Sequence, residues 1–177
     1  MTIETTNLIL AAHLPRYLRA LIRSERDYEN ISGLRAGKGV REQLLSASTQ
    51  FMSNLAKANQ SDPWQFGFAV IHKIDNMLMG TGGFPAPPDG QGVVEIAYGI
   101  APSYQGKGYA TEVANVLMDF AARDPRVKTI RAHTLAEINA STRVLEKCGF
   151  KKVGETVDPD NNLAVWRWER AAPSRTK

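Results

Sequence analysis

Residues Val94 to Ala122 read VEIAYGIAPSYQGKGYATEVANVLMDFAA. An apolar run ends at Ile100, a glycine-lysine-glycine loop follows, and Val113, Val116, Leu117 and Phe120 then recur at helical intervals. The stretch therefore reads as a strand that turns through a glycine-rich loop into a helix. The first amides of such a helix have no partner within it, and together with the helix dipole they hold anions, pyrophosphate among them. A plain tight turn gives the same local pattern, so the loop alone fixes neither ligand nor chemistry.

Two phosphate-loop spacings fail. A Walker loop requires glycine where Ala101 stands and Ser or Thr where Gly108 stands. A dinucleotide fingerprint requires a third glycine at Thr111 and an acidic residue after a second βαβ strand, and neither is present.

The rest of the chain supports one ordinary domain. Its 177 residues suffice for a single sizeable core, and 43% apolar with 23% charged residues argues against wholesale disorder. The net charge of +4 is spread along the chain, which disfavours nucleic acid as a partner. The lone cysteine, Cys148, makes no internal disulfide, and no Cys/His cluster has metal-ligand spacing; the reading is a cytoplasmic, metal-free protein in which Cys148 packs. MTIETTNLIL lacks the pattern of a signal peptide, and no run of about 18 apolar residues occurs, so no membrane association is expected.

Outward from the loop, Asn7–Ala12 reads as a strand, and Leu14, Leu18, Leu21 and Ile22 mark a helix. Ser32–Gly39 reads as a loop and Arg41–Ala58 as one helical pattern. Trp64–Ile71 and Met77–Phe84 form an expected hairpin, and the proline-rich run from Pro85 to Gly92 is a surface connection. After the central helix come a strand at Val127–Leu135, a helix at Asn139–Lys147 ended by Gly149, and a closing hairpin of Phe150–Thr156 and Leu163–Trp168. The order is β-α-α-β-β-β-α-β-α-β-β, an α+β layer architecture around one mixed sheet.

Gln105-Gly106-Lys107-Gly108-Tyr109-Ala110 resembles the Q/R-x-x-G-x-G/A acetyl-CoA loop of the GNAT N-acetyltransferase superfamily. EIAYGIAP resembles its fourth strand and ASTRVLEKCGF its second conserved helix, in the ribosomal-protein N-terminal acetyltransferase-like (RimJ/RimL-type) branch. The likeness covers about residues 64 to 157 well and the front third loosely. It implies a single GNAT-like domain over residues 1–170 with a basic flexible tail at 171–177. It also implies a mostly antiparallel sheet flanked by helices, with a V-shaped opening between the fourth and fifth strands.

The resemblance assigns acetyl-CoA as co-substrate, with Gln105 to Ala110 around its phosphates and the backbone of Tyr98, Gly99 and Ile100 along its pantetheine. Glu95 stands where the family has its catalytic glutamate; a surface glutamate on a strand is the plainer alternative. The family's tyrosine acid is replaced by Leu145, and Ser141 matches the serine used instead in the ribosomal branch, although serine near a helix start also serves as a cap. The family asparagine falls on Ile138, so the adjacent Asn139 either fills its role or caps the helix. Arg143 and Lys147 either meet the cofactor phosphates or, the plainer reading, are solvated cations; His133 is read as a structural histidine, and the three tryptophans as sheet packing or, for one of them, an acceptor wall.

The implied reaction is direct acetyl transfer to the primary amine of a small molecule or peptide, without an acyl-enzyme. An idle CoA-binding sensor of the same fold and a nucleotide-binding module are the rival readings. The acceptor site is expected from the first two helices and the loops at Ser32–Gly39 and Pro85–Gly92. Homodimers are common in the family, and no interface is legible in the chain.

Overall fold

Local signals set most element boundaries in the computed structural model, which describes residues 1–174. Strands β1 (Thr2–Glu4) and β2 (Leu8–Ala12) lead into helix α1 (Pro15–Arg23), which starts on a proline at its first turn. Ser24 ends α1 and accepts a bond from Asp27 N at 3.0 Å, capping α2 (Glu25–Ser32), and Gly33 closes α2 in the left-handed region. The loop expected at Ser32–Gly39 contains a two-residue strand, β3 (Arg35–Ala36).

The run from Arg41 to Ala58 is two helices, α3 (Val40–Leu45) and α4 (Thr49–Lys57), not one. Ser48 divides them by accepting a bond from Phe51 N at 3.1 Å, because a serine hydroxyl competes with the helical backbone. Trp64 belongs to a short helix, α5 (Pro63–Phe66), rather than to a strand; Asp62 caps it through Trp64 N at 2.9 Å, and Gly67 stops it.

The hairpin follows as β4 (Phe68–His72) and β5 (Met77–Gly83). The decisive stretch gives β6 (Val93–Glu95), β7 (Ala97–Ile100), a 3-10 turn at Pro102–Tyr104 and α6 (Tyr109–Ala122). Then come β8 (Thr129–Leu135), α7 (Ala140–Lys147), β9 (Lys151–Val157) and β10 (Ala164–Ala171). β10 runs one residue past the expected domain boundary, and Arg170 is not frayed, since its guanidinium donates to Cys148 O at 2.5 Å. Residues 175–177 of the expected tail lie outside the described residues.

The architecture is the expected α+β one, mostly antiparallel with helices on its flanks, and the expected single sheet divides into two ladders. One joins β1-β2-β4-β5, and the far edge of β5 carries β3 and β7 in succession. The other has the order β6-β8-β10-β9. The run from Val93 to Ile100 thus changes partner at Ile96: β6 pairs with β8 in parallel, and β7 pairs with β5 antiparallel. Ile96 N to Arg131 O, at 2.8 Å, is the last bond toward β8 before the two halves part.

Helix α6 packs its buried Val113, Val116, Leu117 and Phe120 on the sheets. Gly82 of β5 permits this approach, because a Cβ there would lie 3.0 Å from Val113 Cγ1. Phe120 also joins an aromatic cluster, with Trp64 and Phe84 rings at 5.2 and 5.7 Å. Trp168 is buried with its indole N–H on Thr134 Oγ1 at 3.0 Å, and Trp166 lies under the Lys152 ammonium at 3.9 Å. All three tryptophans are packing residues. Among the described residues no helix is long and apolar enough to cross a membrane.

Candidate active site

Where β7 leaves β8, main-chain groups are exposed to the gap. Ala101 N donates to Met79 O at 2.7 Å, and antiparallel alternation from that bond turns the Gly99 groups toward Thr81 and those of Tyr98 and Ile100 away from β5. Ile100 O accepts from Gln105 Nε2 at 2.9 Å, which leaves the Ile100 amide and both Tyr98 groups facing the gap. Gly99 is therefore a correction: its polar groups belong to the ladder. Its contribution is the missing side chain, because the Gln43 amide comes within 2.7 Å of the point a Cβ would occupy.

A cavity of about 410 Å³ occupies the gap. One wall is the loop, with Gln105, Gly106, Gly108, Tyr109 and Ala110 all contributing. Gly106 and Gly108 have φ of 76° and 84°, a conformation that favours glycine, and Gly108 is the N-cap of α6. The first helical bond runs from Glu112 N to Gly108 O at 3.2 Å, so the amides of Tyr109, Ala110 and Thr111 precede the helical ladder at its positive end. Lys107 stands apart from this wall, with its ammonium 5.8 Å from the Tyr104 ring centre.

Behind the loop, the Tyr104 hydroxyl donates to Asp75 Oδ2 at 2.7 Å, and Tyr109 Oη meets His72 Nε2 at 2.9 Å. His72 Nδ1 lies 3.1 Å from Asp75 Oδ2, so the four side chains tie the loop to the β4–β5 turn. Burial, with the Asp75 carboxylate beside it, pushes the Tyr104 phenol up to about 12. Both tyrosines brace the loop through these bonds.

The opposite wall is one face of α7: Ala140, Ser141, Arg143, Val144 and Lys147. Ser141, the candidate proton donor, is on this wall. Asn139 does not reach the wall; its Oδ1 accepts from Thr142 N at 3.1 Å while Thr142 Oγ1 accepts from Asn139 N at 3.0 Å, a reciprocal cap. Arg143 and Lys147, the cations that the sequence offered either to the cofactor phosphates or to solvent, are exposed residues one helical turn apart on this wall and give it positive charge. Cys148, just beyond α7, is buried and its thiol is pushed up by that burial, so it is no nucleophile.

Glu95 is the last residue of β6, two positions before Ala97, and alternation along the strand puts both on the same face. Its Oε1 lies 2.7 Å from His133 Nδ1, with both side chains about one-third exposed. Beside them Arg131 holds Glu169 at 2.7 Å. The contact between Glu95 and His133 arises from the parallel register of β6 on β8, which no local pattern announces.

A second cavity, of about 560 Å³, opens on the other side of β7. It shares the lining residues Gln43, Tyr98 and Gly99 with the first, so the two cavities flank β7. Tyr98 is the titratable side chain common to both, and burial raises its phenol. The second cavity is lined by Leu18 of α1, by α3, α4 and α5, by β5 and by Phe84 and Pro85. Neither α2 nor the Ser32–Gly39 loop contributes, which corrects the expected acceptor surface. Gln43 and His13 are wall residues missed in the sequence. Among the described residues no group of three or more His, Cys, Asp or Glu comes together as a metal site would require.

The chain belongs to the acetyltransferase (GNAT) domain family, whose model matches residues 9–151. It is 31% identical over 134 residues to the uncharacterized N-acetyltransferase YjdG of Bacillus subtilis (strain 168), covering 72% of this chain and 77% of that one. Its fold is similar to that of a ribosomal-protein-S5-alanine acetyltransferase from Vibrio fischeri, with a TM-score of 0.67 at 16% identity over 97% of each chain. It is also similar to that of a spermidine N-acetyltransferase SpeG chimera from Vibrio cholerae and hSSAT, with a TM-score of 0.63 at 20% identity over 94% and 96% of the chains. The protein is an acetyltransferase.

Proposed function

We propose that the protein moves an acetyl group from acetyl-CoA to a primary amine by direct attack in a ternary complex. The observation that carries this reading is that two cavities flank β7 and share Gln43, Tyr98 and Gly99 in their walls. One is walled by a helix start suited to pyrophosphate, and the other has no residue of that loop in its lining. A thioester reaching β7 from the first cavity would meet an amine arriving through the second.

The chain's own groups then divide the work. The free amides before Glu112, with Arg143 and Lys147 across the gap, suit the CoA phosphates. The outward groups of Tyr98 and the Ile100 amide suit the pantetheine amides, and the same strand end offers an N–H to the developing oxyanion. Glu95, partnered by His133, takes the amine proton through water. Ser141 returns a proton to the departing thiolate, and Tyr98 presents a second hydroxyl from β7. Each turnover forms one C–N bond, breaks the thioester C–S bond and moves one proton from nitrogen to sulfur.

Ser141 on the wall supports the RimJ/RimL-type branch. The relatives that share the fold act, by their names, on a ribosomal protein and on spermidine, so fold alone does not select the acceptor. A lone buried Cys148 accords with the cytoplasm.

The test is thiol release from acetyl-CoA with a panel of primary amines, beside Gly108→Trp, which would fill the space the loop leaves at Gly108. Release by the native protein and loss of acetyl-CoA binding in the variant are the expected results. Binding without release for any amine would favour an idle CoA sensor instead.

A further inference from the structure

The second cavity carries more than a route for the amine. Among its described lining residues none is Asp, Glu, Lys or Arg. Its apolar walls come from Leu18, Leu44, Phe51, Phe66 and Phe84, with a few neutral polar groups on Gln43, Ser48, Gln65 and Thr81. His13 completes the wall. It is 5% exposed, and its Nε2 has no hydrogen-bond partner. A buried polar atom without a partner costs stability, and a hydrogen-bonding group bound in the cavity beside His13 would relieve that cost.

Resting on the acetyl-transfer reading, we propose that the acceptor is a primary amine on an otherwise uncharged, largely apolar body, and that it carries a neutral hydrogen-bonding group which His13 Nε2 engages. His13 is thereby a specificity-determining residue rather than a catalytic one. Burial holds its imidazole down to about 4, so at neutral pH the ring is uncharged and offers one donor and one acceptor without repelling an incoming ammonium.

The composition also argues against a polyamine. The second and third ammonium groups of spermidine would enter a wall with no carboxylate, and burying unpaired charge is far costlier than burying a methylene chain. The adjoining polar basin holds Asp62, but that carboxylate already caps α5 through Trp64 N at 2.9 Å and shares the basin with Lys57. Nothing there replaces the missing counter-charge.

The experiment compares kcat/KM for thiol release with tyramine, 6-aminohexan-1-ol, phenethylamine, hexylamine and spermidine. The expected result is that the uncharged-bodied amines exceed spermidine by about tenfold or more. At least one hydroxylated amine should also exceed its parent by roughly three- to tenfold, the range of one neutral hydrogen bond. His13→Leu should bring that ratio to about one, whereas His13→Gln, which keeps a polar group, should preserve part of it. Retention of the acetyl-CoA-induced rise in unfolding midpoint identifies the variants as folded.

Spermidine matching or exceeding the neutral amines would overturn the proposal, as would a ratio indifferent to His13→Leu. So would turnover of none of the neutral amines by a protein that binds acetyl-CoA. Absence of acetyl-CoA binding altogether would bring down the acetyl-transfer reading, and this inference with it.

Discussion

A carboxylate 2.7 Å from an imidazole, at the point where one strand changes sheets, is the group proposed to pass on the amine proton. On this account Glu95→Gln should lower kcat by roughly 10²- to 10⁴-fold while leaving acetyl-CoA affinity nearly unchanged, as a placed base implies; full activity across pH would remove Glu95 from the mechanism. On the facing helix, Arg143→Ala and Lys147→Ala should each weaken CoA binding by about tenfold, less so at high salt, with kcat little altered. Calorimetric titration at two salt concentrations measures this directly. The loop, Glu95 and Ser141 could be named as candidates from the sequence because they lie within short motifs whose chemistry depends on spacing along the chain. Gln43 and His13 were not, since each comes to its cavity from a distant segment and neither breaks a pattern in its own. Gly99 and Asn139 illustrate the opposite error: the motif located them correctly, but ladder alternation and a reciprocal cap use their polar groups elsewhere.

Elements, in turn, hold the loop in place. Glu112, in the first turn of α6, accepts from Thr5 Oγ1, from Asn7 N at 2.9 Å and from Asn7 Nδ2 at 3.0 Å, fastening the helix to the β1–β2 turn. Partial burial alone would raise its carboxyl, but these bonds, with Lys73 nearby, outweigh burial and hold it below the usual range. Glu112→Ala should therefore destabilise the fold by about 1–3 kcal/mol, lowering the unfolding midpoint by roughly 2–12 °C. No change would mean that α6 is fixed by its apolar face alone. The same scale shows why some boundaries were misread. Apolar periodicity continued through Ser46–Ser48, where capping hydroxyls ended one helix and began another, and the Asp62-Pro63 helix start was hidden beneath a β-favouring tryptophan. The split at Ile96 left no trace in the apolar run because both halves face a core.

For the molecule as a whole, two buried or tethered groups set the response to acid. His13 has a folded value of about 4 against an ordinary 6.5, so the unfolded chain binds the extra proton between these limits. Stability should be fully present above pH 6.5 and fall as pH drops toward 4, by up to about 3 kcal/mol. Glu112, depressed in the fold, adds a loss below its ordinary value of 4.5 as it is protonated. Urea unfolding at pH 7.5, 5.5 and 4.5 should show this slope in the native protein and a flatter one in His13→Leu; equal slopes would contradict a buried neutral imidazole.

The central claim is that the splay between β7 and β8 holds acetyl-CoA, and thermal unfolding with and without saturating acetyl-CoA, with ATP as control, tests it most directly. At about 1,000 times its dissociation constant a ligand adds roughly 4 kcal/mol, so a rise on the order of 10 °C is predicted with acetyl-CoA and not with ATP. No rise, or an equal rise with ATP, would contradict the account.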